Sequence, residues 1–356
     1  LITEYALGKL YIAGEYAVLE ETSPAILVAL DEFVSVSINK SKKHVGTIHS
    51  KQYSQDAVHW TRQENKMVLD NRDNPFHFIL SGIYYAEQYV LENQGKLDIF
   101  DLNINSELDA KDGRKYGLGS SAAVTVATVK AVLSFYGMEL DKSLVFKLAA
   151  IAHLKVQGNG SLGDIAASVY GGWIAYQSFD KKSVLAELEN RPLTEVLNLA
   201  WPQLKIKLLT PPKDLELIIG WSGIPAYTSQ LVDKTDQAKI KYPEKYQNFV
   251  NETRNCILRM IEGFETGNTS KIQNEIRYNR LLLQSLANMS HVQIEIPKLT
   301  KLIEIAEFNH GAAKTSGAGN GDCAIVIADS HTTVDQMKSQ WLDEDITPLN
   351  FKVHSL

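Results

Sequence analysis

Lys115-Tyr116-Gly117-Leu118-Gly119-Ser120-Ser121-Ala122-Ala123 joins a glycine turn, two hydroxyls and the head of an alanine-rich run. Gly117 and Gly119 let the backbone approach an anion with no side chain in the way, and Ser120 or Ser121 is suited to cap a helix. The run that follows, through Lys130 to Phe135, is rich in alanine and aliphatic residues. It predicts a helix whose uncovered N–H groups and positive dipole end face the turn, which is a place for a phosphate. The stretch is not a Walker A loop, because no Gly-Lys-Ser/Thr closes it and Lys115 precedes the glycines. It also lacks the three-glycine spacing of a dinucleotide fold.

Outward from this turn the chain reads as strands followed by helices. Residues 101–105 alternate as a strand leading into the loop, 77–92 have helical spacing, and 33–38 have a clear period of two. Downstream, 143–156 and 164–169 read as helices, the second ending at Gly171-Gly172, and 173–179 return to strand. The polar stretch 180–208, with Pro202 inside it and Pro211-Pro212 after it, is the expected passage between two lobes. Beyond it come a strand at 215–221, helices at 245–265, 270–287 and 297–309, and a buried strand at 323–328. Strands and helices without regular alternation in both halves argue for α+β lobes, divided into 1–205 and 206–356.

Composition agrees with two lobes, since 356 residues exceed what one core usually organises. The hydrophobic share of 44% and charged share of 22% are those of a globular protein. A net charge of −6 without a basic cluster speaks against a nucleic-acid footprint. No apolar run approaches the roughly 20 residues of a membrane span, and the start lacks the order of a signal peptide, so no membrane partner and a cytoplasmic setting are expected. Cys256 and Cys323 lie far apart, which gives no disulfide framework or metal spacing and reads as two buried small hydrophobes.

Two further stretches complete a pattern. Near the start stands Ala6-Leu7-Gly8-Lys9-Leu10-Tyr11-Ile12-Ala13-Gly14-Glu15-Tyr16, and near the end Lys314-Thr315-Ser316-Gly317-Ala318-Gly319-Asn320-Gly321-Asp322-Cys323. In this order, the three stretches resemble the three motifs of the GHMP small-molecule kinases. The resemblance implies a two-lobed α+β GHMP kinase fold, with an N-terminal ribosomal-protein-S5-like lobe and a C-terminal ferredoxin-like α/β sandwich. It implies ATP binding by Lys115, Gly117, Leu118, Gly119, Ser120, Ser121 and Ala122, with Ser121 placed to reach Mg²⁺. In Gln157-Gly158-Asn159-Gly160-Ser161-Leu162-Gly163-Asp164, the aspartate matches one that in the family lies close to a lysine at the position of Lys9. Lys9 and Asp164 are thereby implied as the catalytic pair. Lys9, Tyr16, Ser161, Thr228, Ser229, Ser316, Gly317 and Ala318 are implied to bind the acceptor.

Smaller features narrow the resemblance. Mevalonate kinases carry a metal-binding glutamate where counting back from Asp164 places His153, and glycine where this chain has Asp322. Ala152-His153 before Gln157-Gly158, the ending Gly321-Asp322-Cys323, and Gly220-Trp221-Ser222-Gly223 followed by Ala226, Thr228 and Ser229 are similar to bacterial-type phosphomevalonate kinases. Leu7 and Asn320 depart from the usual proline and glycine. The implied reaction is ATP-dependent phosphorylation of 5-phosphomevalonate to 5-diphosphomevalonate in isoprenoid biosynthesis. The alternatives are mevalonate or another acceptor of the family, and a non-catalytic metabolite-binding relative. A phosphomonoester is already largely dianionic at neutral pH, with a second pKa near about 6. Lys9 and Lys115 are therefore expected to act through charge, and Asp164 mainly by orienting Lys9 and the metal shell. His59, Trp60 and Ile104 are candidate adenine walls, and Arg72, Arg277 and Arg280 candidate partners of the acceptor's phosphate. The chain is expected to be a monomer or a homodimer.

Overall fold

The alternating stretch around Phe33 belongs to a long strand that organises the first half. In the computed structural model, which describes residues 1–50, 57–70, 75–226 and 228–355, β1 (Ile2–Ala13) lies antiparallel along one edge of β2 (Pro24–Lys40). β3 (Gly46–Ser50), β4 (Val58–Gln63) and β5 (Lys66–Leu69) continue that sheet, followed by α1 (His77–Glu92) and β6 (Phe100–Ser106). Next come α2 (Ser120–Phe135), α3 (Lys142–Gln157), α4 (Gly163–Tyr170) and β7 (Trp173–Gln177). β6 pairs with Val34–Lys40 and β7 with Pro24–Val28, so the two share the edge of β2 opposite β1.

The alanine- and valine-rich α2 is buried from Ala122 to Val129 and again from Ala131 to Leu133. It packs between α1, α3 and the β1–β2 pair, as a helix apolar on every side must. Its N-terminus is therefore held firmly at the end of the sheet.

The stretch 180–208 is not a passage between lobes. It folds into α5 (Lys181–Asn190), α6 (Leu193–Asn198) and the head of β8 (Lys205–Leu209), which pairs with β7. Its polar look is that of short amphipathic helices whose Val184, Leu193, Val196 and Leu197 are buried. The division at 205/206 thus falls at the first residue of β8, and residues 210–215 connect the two sheets.

The second half contains β9 (Glu216–Trp221), α7 (Thr228–Lys241), α8 (Pro243–Glu265), α9 (Thr269–Ser290), α10 (Pro297–Phe308), β10 (Ala312–Thr315), β11 (Cys323–Ala328), α11 (Val334–Asp343) and β12 (Thr347–Leu349). Its antiparallel sheet has the order β10-β11-β9-β12. α7 was not expected from the sequence, where its polar, weakly periodic residues gave no helical signal. The chain end returns to the first sheet, the His354 N–H donating to Ala29 O at 2.9 Å. Cys256 and Cys323 are free and buried, as expected. Among the described residues no helix is long and apolar enough to cross a membrane.

Candidate active site

Gly119 adopts a left-handed conformation, φ 74°, and is itself the N-cap of α2, so neither Ser120 nor Ser121 caps the helix as the sequence suggested. The glycine cap takes neither hydroxyl and leaves the first-turn N–H groups unspent. Among the described residues nothing accepts from the N–H groups of Ser120, Ser121 or Ala122. Lys9, on β1, is locked to this turn: its N–H donates to Leu118 O at 2.9 Å, and its ammonium lies 3.5 Å from Gly117 O. A Cβ on Gly119 would fall 2.7 Å from Lys9 Cε. The turn needs glycine there because the lysine runs directly beneath it. Lys115 is exposed at the mouth of the turn, backbone-bridged to Asp109.

Asp164 sits in the first turn of α4 behind Leu162, the N-cap in a left-handed conformation. Its carboxylate accepts from the Ile165 N–H at 2.9 Å, and its charge bears on Tyr11 and His153. Lys9 and Asp164, which the resemblance brings close to each other, form no ion pair among the described residues. Both charged groups bear on Tyr11: Lys9 Nζ is 5.5 Å from its ring centroid, and burial together with Asp164 pushes the phenol far above its usual range. Tyr11 therefore stays protonated, and its hydroxyl meets Ser161 Oγ at 2.6 Å. Ser161 O in turn accepts from the hydroxyls of Tyr176 at 2.6 Å and Ser178 at 3.0 Å.

His153 closes the other side. Its Nε2 is 3.2 Å from Ser121 Oγ, and its ring stacks on Phe78 with centroids 4.6 Å apart. Burial pushes the imidazole below its usual pKa against the opposing pull of Asp164, so it is neutral near pH 7. Counting along the sequence had placed His153 near the metal position, and the structure places it against Ser121.

The third glycine stretch ties several of its polar groups to the first motif. Ser316 Oγ donates to Tyr11 O at 2.8 Å, the Gly317 N–H to Glu15 Oε1 at 3.2 Å, and Tyr16 OH to Ala318 O at 2.6 Å. Lys314, 0% exposed, pairs at 2.6 Å with Glu15, 3% exposed. Burial pushes the Lys314 ammonium below its usual range despite the carboxylate beside it. Asn320 takes the left-handed φ of 64° that glycine would, which explains the tolerated departure.

Other expected residues stand apart. Thr228 and Ser229 open α7, but their side chains lie outside the described residues, as does Arg72. Arg277 pairs with Glu307 and Arg280 with Glu295. Trp60 and Ile104 are core, and exposed His59 pairs with Asp70. Tyr11, Glu15 and Lys314 went unnoticed as working residues. Only Tyr11 had a signal: two residues after Lys9 on one strand, it must share that lysine's face.

A strand-borne lysine under an open anion turn, with a second glycine stretch as buttress, is the arrangement of a small-molecule kinase. The family models for the GHMP kinases N-terminal domain and the GHMP kinases C-terminal region match residues 81–172 and 260–345. The chain belongs to the GHMP kinase family. It is 36% identical to phosphomevalonate kinase of Streptomyces sp. strain CL190, an alignment covering 98% of this chain and 96% of that one. It is 26% identical to mevalonate kinase of Thermococcus sibiricus, over 91% and 88% of the two chains. Its structure is similar to that of Streptococcus pneumoniae phosphomevalonate kinase solved with phosphomevalonate and AMPPNP, with a TM-score of 0.87, 29% identity, and 99% and 100% of the two chains covered.

Proposed function

We propose that the chain transfers the γ-phosphoryl group of ATP to the phosphate of 5-phosphomevalonate, giving ADP and 5-diphosphomevalonate. The likeness to a phosphomevalonate kinase over 98% of the chain carries this reading. The site supports it: an open first turn of α2 suits the nucleotide's phosphates, and Lys9 and Lys115 supply cations around them.

An acceptor phosphate oxygen attacks the γ-phosphorus while the bond to the β,γ-bridging oxygen breaks, and that oxygen leaves as part of ADP. No proton has to be removed from a dianionic acceptor. Asp164 accordingly serves as a fixed negative charge near Tyr11 and not as an indispensable base. Lys9 carries the larger share of catalysis, because charge neutralisation is the main requirement of phosphoryl transfer.

The donor set fits a magnesium ion arriving with the nucleotide. Ser121 hydroxyl and Asp164 carboxylate are hard oxygen donors grouped around His153. Among the described residues no cluster of three or more His, Cys, Asp or Glu could hold a metal on its own, which suits an ion bound largely by phosphates and water. Bound there, it would offset the charge developing on the transferring group. Ser121 and Asp164 would hold it, and His153 would fix the Ser121 hydroxyl.

A coupled ADP-release assay with Mg-ATP, comparing 5-phosphomevalonate with mevalonate, tests the reading. Fast turnover only with the phosphorylated acceptor is expected. Turnover on mevalonate would make this an alcohol kinase and restore Asp164 as a base.

A further inference from the structure

Asp322 is a half-buried carboxylate that the mechanism above leaves without a task, yet two separate segments converge on it. Its N–H donates to Ile224 O at 2.7 Å, and its carbonyl accepts from the Ser222 N–H at 2.9 Å. Its Oδ1 accepts from the Ala226 N–H at 3.2 Å. Its other oxygen lies against the phosphate loop: a Cβ on Gly117 would meet Asp322 Oδ2 at 2.5 Å. Residues 222–226 form the arm between β9 and the start of α7. Arg114, from the stretch before the phosphate loop, holds the same arm from outside by donating to Gly223 O at 3.0 Å.

The carboxylate also faces Lys9 and Lys115 electrostatically. Among the described residues neither lysine is ion-paired to it. A carboxylate in a cationic site would ordinarily neutralise its neighbours and compete with phosphate. Here one oxygen is committed to a backbone N–H, which leaves both ammonium groups for ligands. Asp322 has φ 53°, a left-handed conformation that Asp, Asn and Gly accept more readily than other residues. The position thus combines a backbone requirement with a side-chain acceptor.

We propose that Asp322 is a positioning residue for the acceptor: its carboxylate fastens the 222–226 arm, and through it the start of α7, against Gly117 of the phosphate loop. The inference rests on the phosphomevalonate reading for the identity of the acceptor, and on the hydrogen bonds above for the fastening. It separates the two substrates, because the arm approaches the phosphate loop from the second lobe while the first turn of α2 is fixed independently by the core.

Asp322→Gly and Asp322→Asn test it, since both tolerate the backbone conformation and only Asn keeps an oxygen for the Ala226 N–H. In the ADP-release assay, Asp322→Gly is expected to raise KM for 5-phosphomevalonate about tenfold, the size of a lost charge-assisted hydrogen bond, while KM for ATP stays within about threefold. Asp322→Asn is expected to recover most of the loss. Amide hydrogen exchange of the ligand-free enzymes gives a second readout: exchange across 222–230 should quicken in Asp322→Gly and return to wild type in Asp322→Asn. An unchanged acceptor KM, parallel rises in both KM values, an Asn variant as impaired as Gly, or exchange indifferent to the substitution would overturn the proposal. Absence of wild-type turnover on 5-phosphomevalonate would instead remove the substrate reading, and the exchange data would then decide the fastening alone.

Discussion

The turn from Gly117 to Ala122 and the stretch from Lys314 to Cys323 look alike as strings of glycine and serine, and the fold anchors them to different extents. The first leaves its donors open: Gly119 caps α2 with backbone alone, and the N–H groups of Ser120, Ser121 and Ala122 have no acceptor among the described residues. In the second, Ser316 Oγ, the Gly317 N–H, Ala318 O and the Asn320 N–H are bound to Tyr11, Glu15, Tyr16 and Ile294, while the N–H groups of Ala318, Gly319 and Gly321 have no acceptor among the described residues. A glycine stretch is an anion site only when its donors remain unspent, and that depends on what the fold lays against it.

This contrast can be broken at several points. The largest effect is expected at the buried end of the third stretch. Lys314→Met strands Glu15 as an uncompensated buried carboxylate and should destabilise the protein by about 3–5 kcal/mol, read by urea unfolding. Near-wild-type stability would mean that the pair is not what joins the motifs.

Next is Lys9→Met, which removes the cation lying under the open turn. We expect kcat to fall by about 10²–10³, the usual effect of deleting an electrostatic stabiliser, with unfolding little changed. A variant retaining a tenth of wild-type kcat would move the chemistry away from the turn.

Asp164→Asn should be milder, within about tenfold in kcat, because a general base would be worth about 10²–10⁴ and none is required. A larger loss here than in Lys9→Met would reverse the assignment of roles.

The smallest effect separates the two loops most cleanly. Ser316→Ala deletes a hydroxyl that the resemblance assigned to substrate but that the fold has given to Tyr11 O. It should lower stability by about 0.5–1.5 kcal/mol and leave both KM values unchanged. A selective rise in acceptor KM would show that the third loop binds ligand after all.

Much of this was legible along the chain. The alternation at 33–38 and the apolar run after Ser121 identified β2 and α2 because each buries its face or its whole circumference, and burial leaves a periodic trace. The segment 180–208 misled for the same reason, since α5 and α6 are short, half-solvated and carry too few apolar positions to mark a period. α7 was invisible on similar grounds. Lys9 and Asp164 were legible as candidates through their motifs. Both bear on Tyr11, and no spacing along the chain reveals that convergence.

The sequence by itself determined the strands, the glycine turns and the alanine-rich helix after Gly119, because local backbone freedom and hydrophobic periodicity are properties of neighbouring residues, and the order of its motifs carried the likeness to the kinase family. Tertiary structure alone decided which donors of each loop stay open, which cation lies beneath the first turn, and that Glu15 and Lys314, 299 residues apart, meet in the interior. Hydrogen-bond satisfaction and desolvation depend on what packs against a group, and the chain can specify that only by folding.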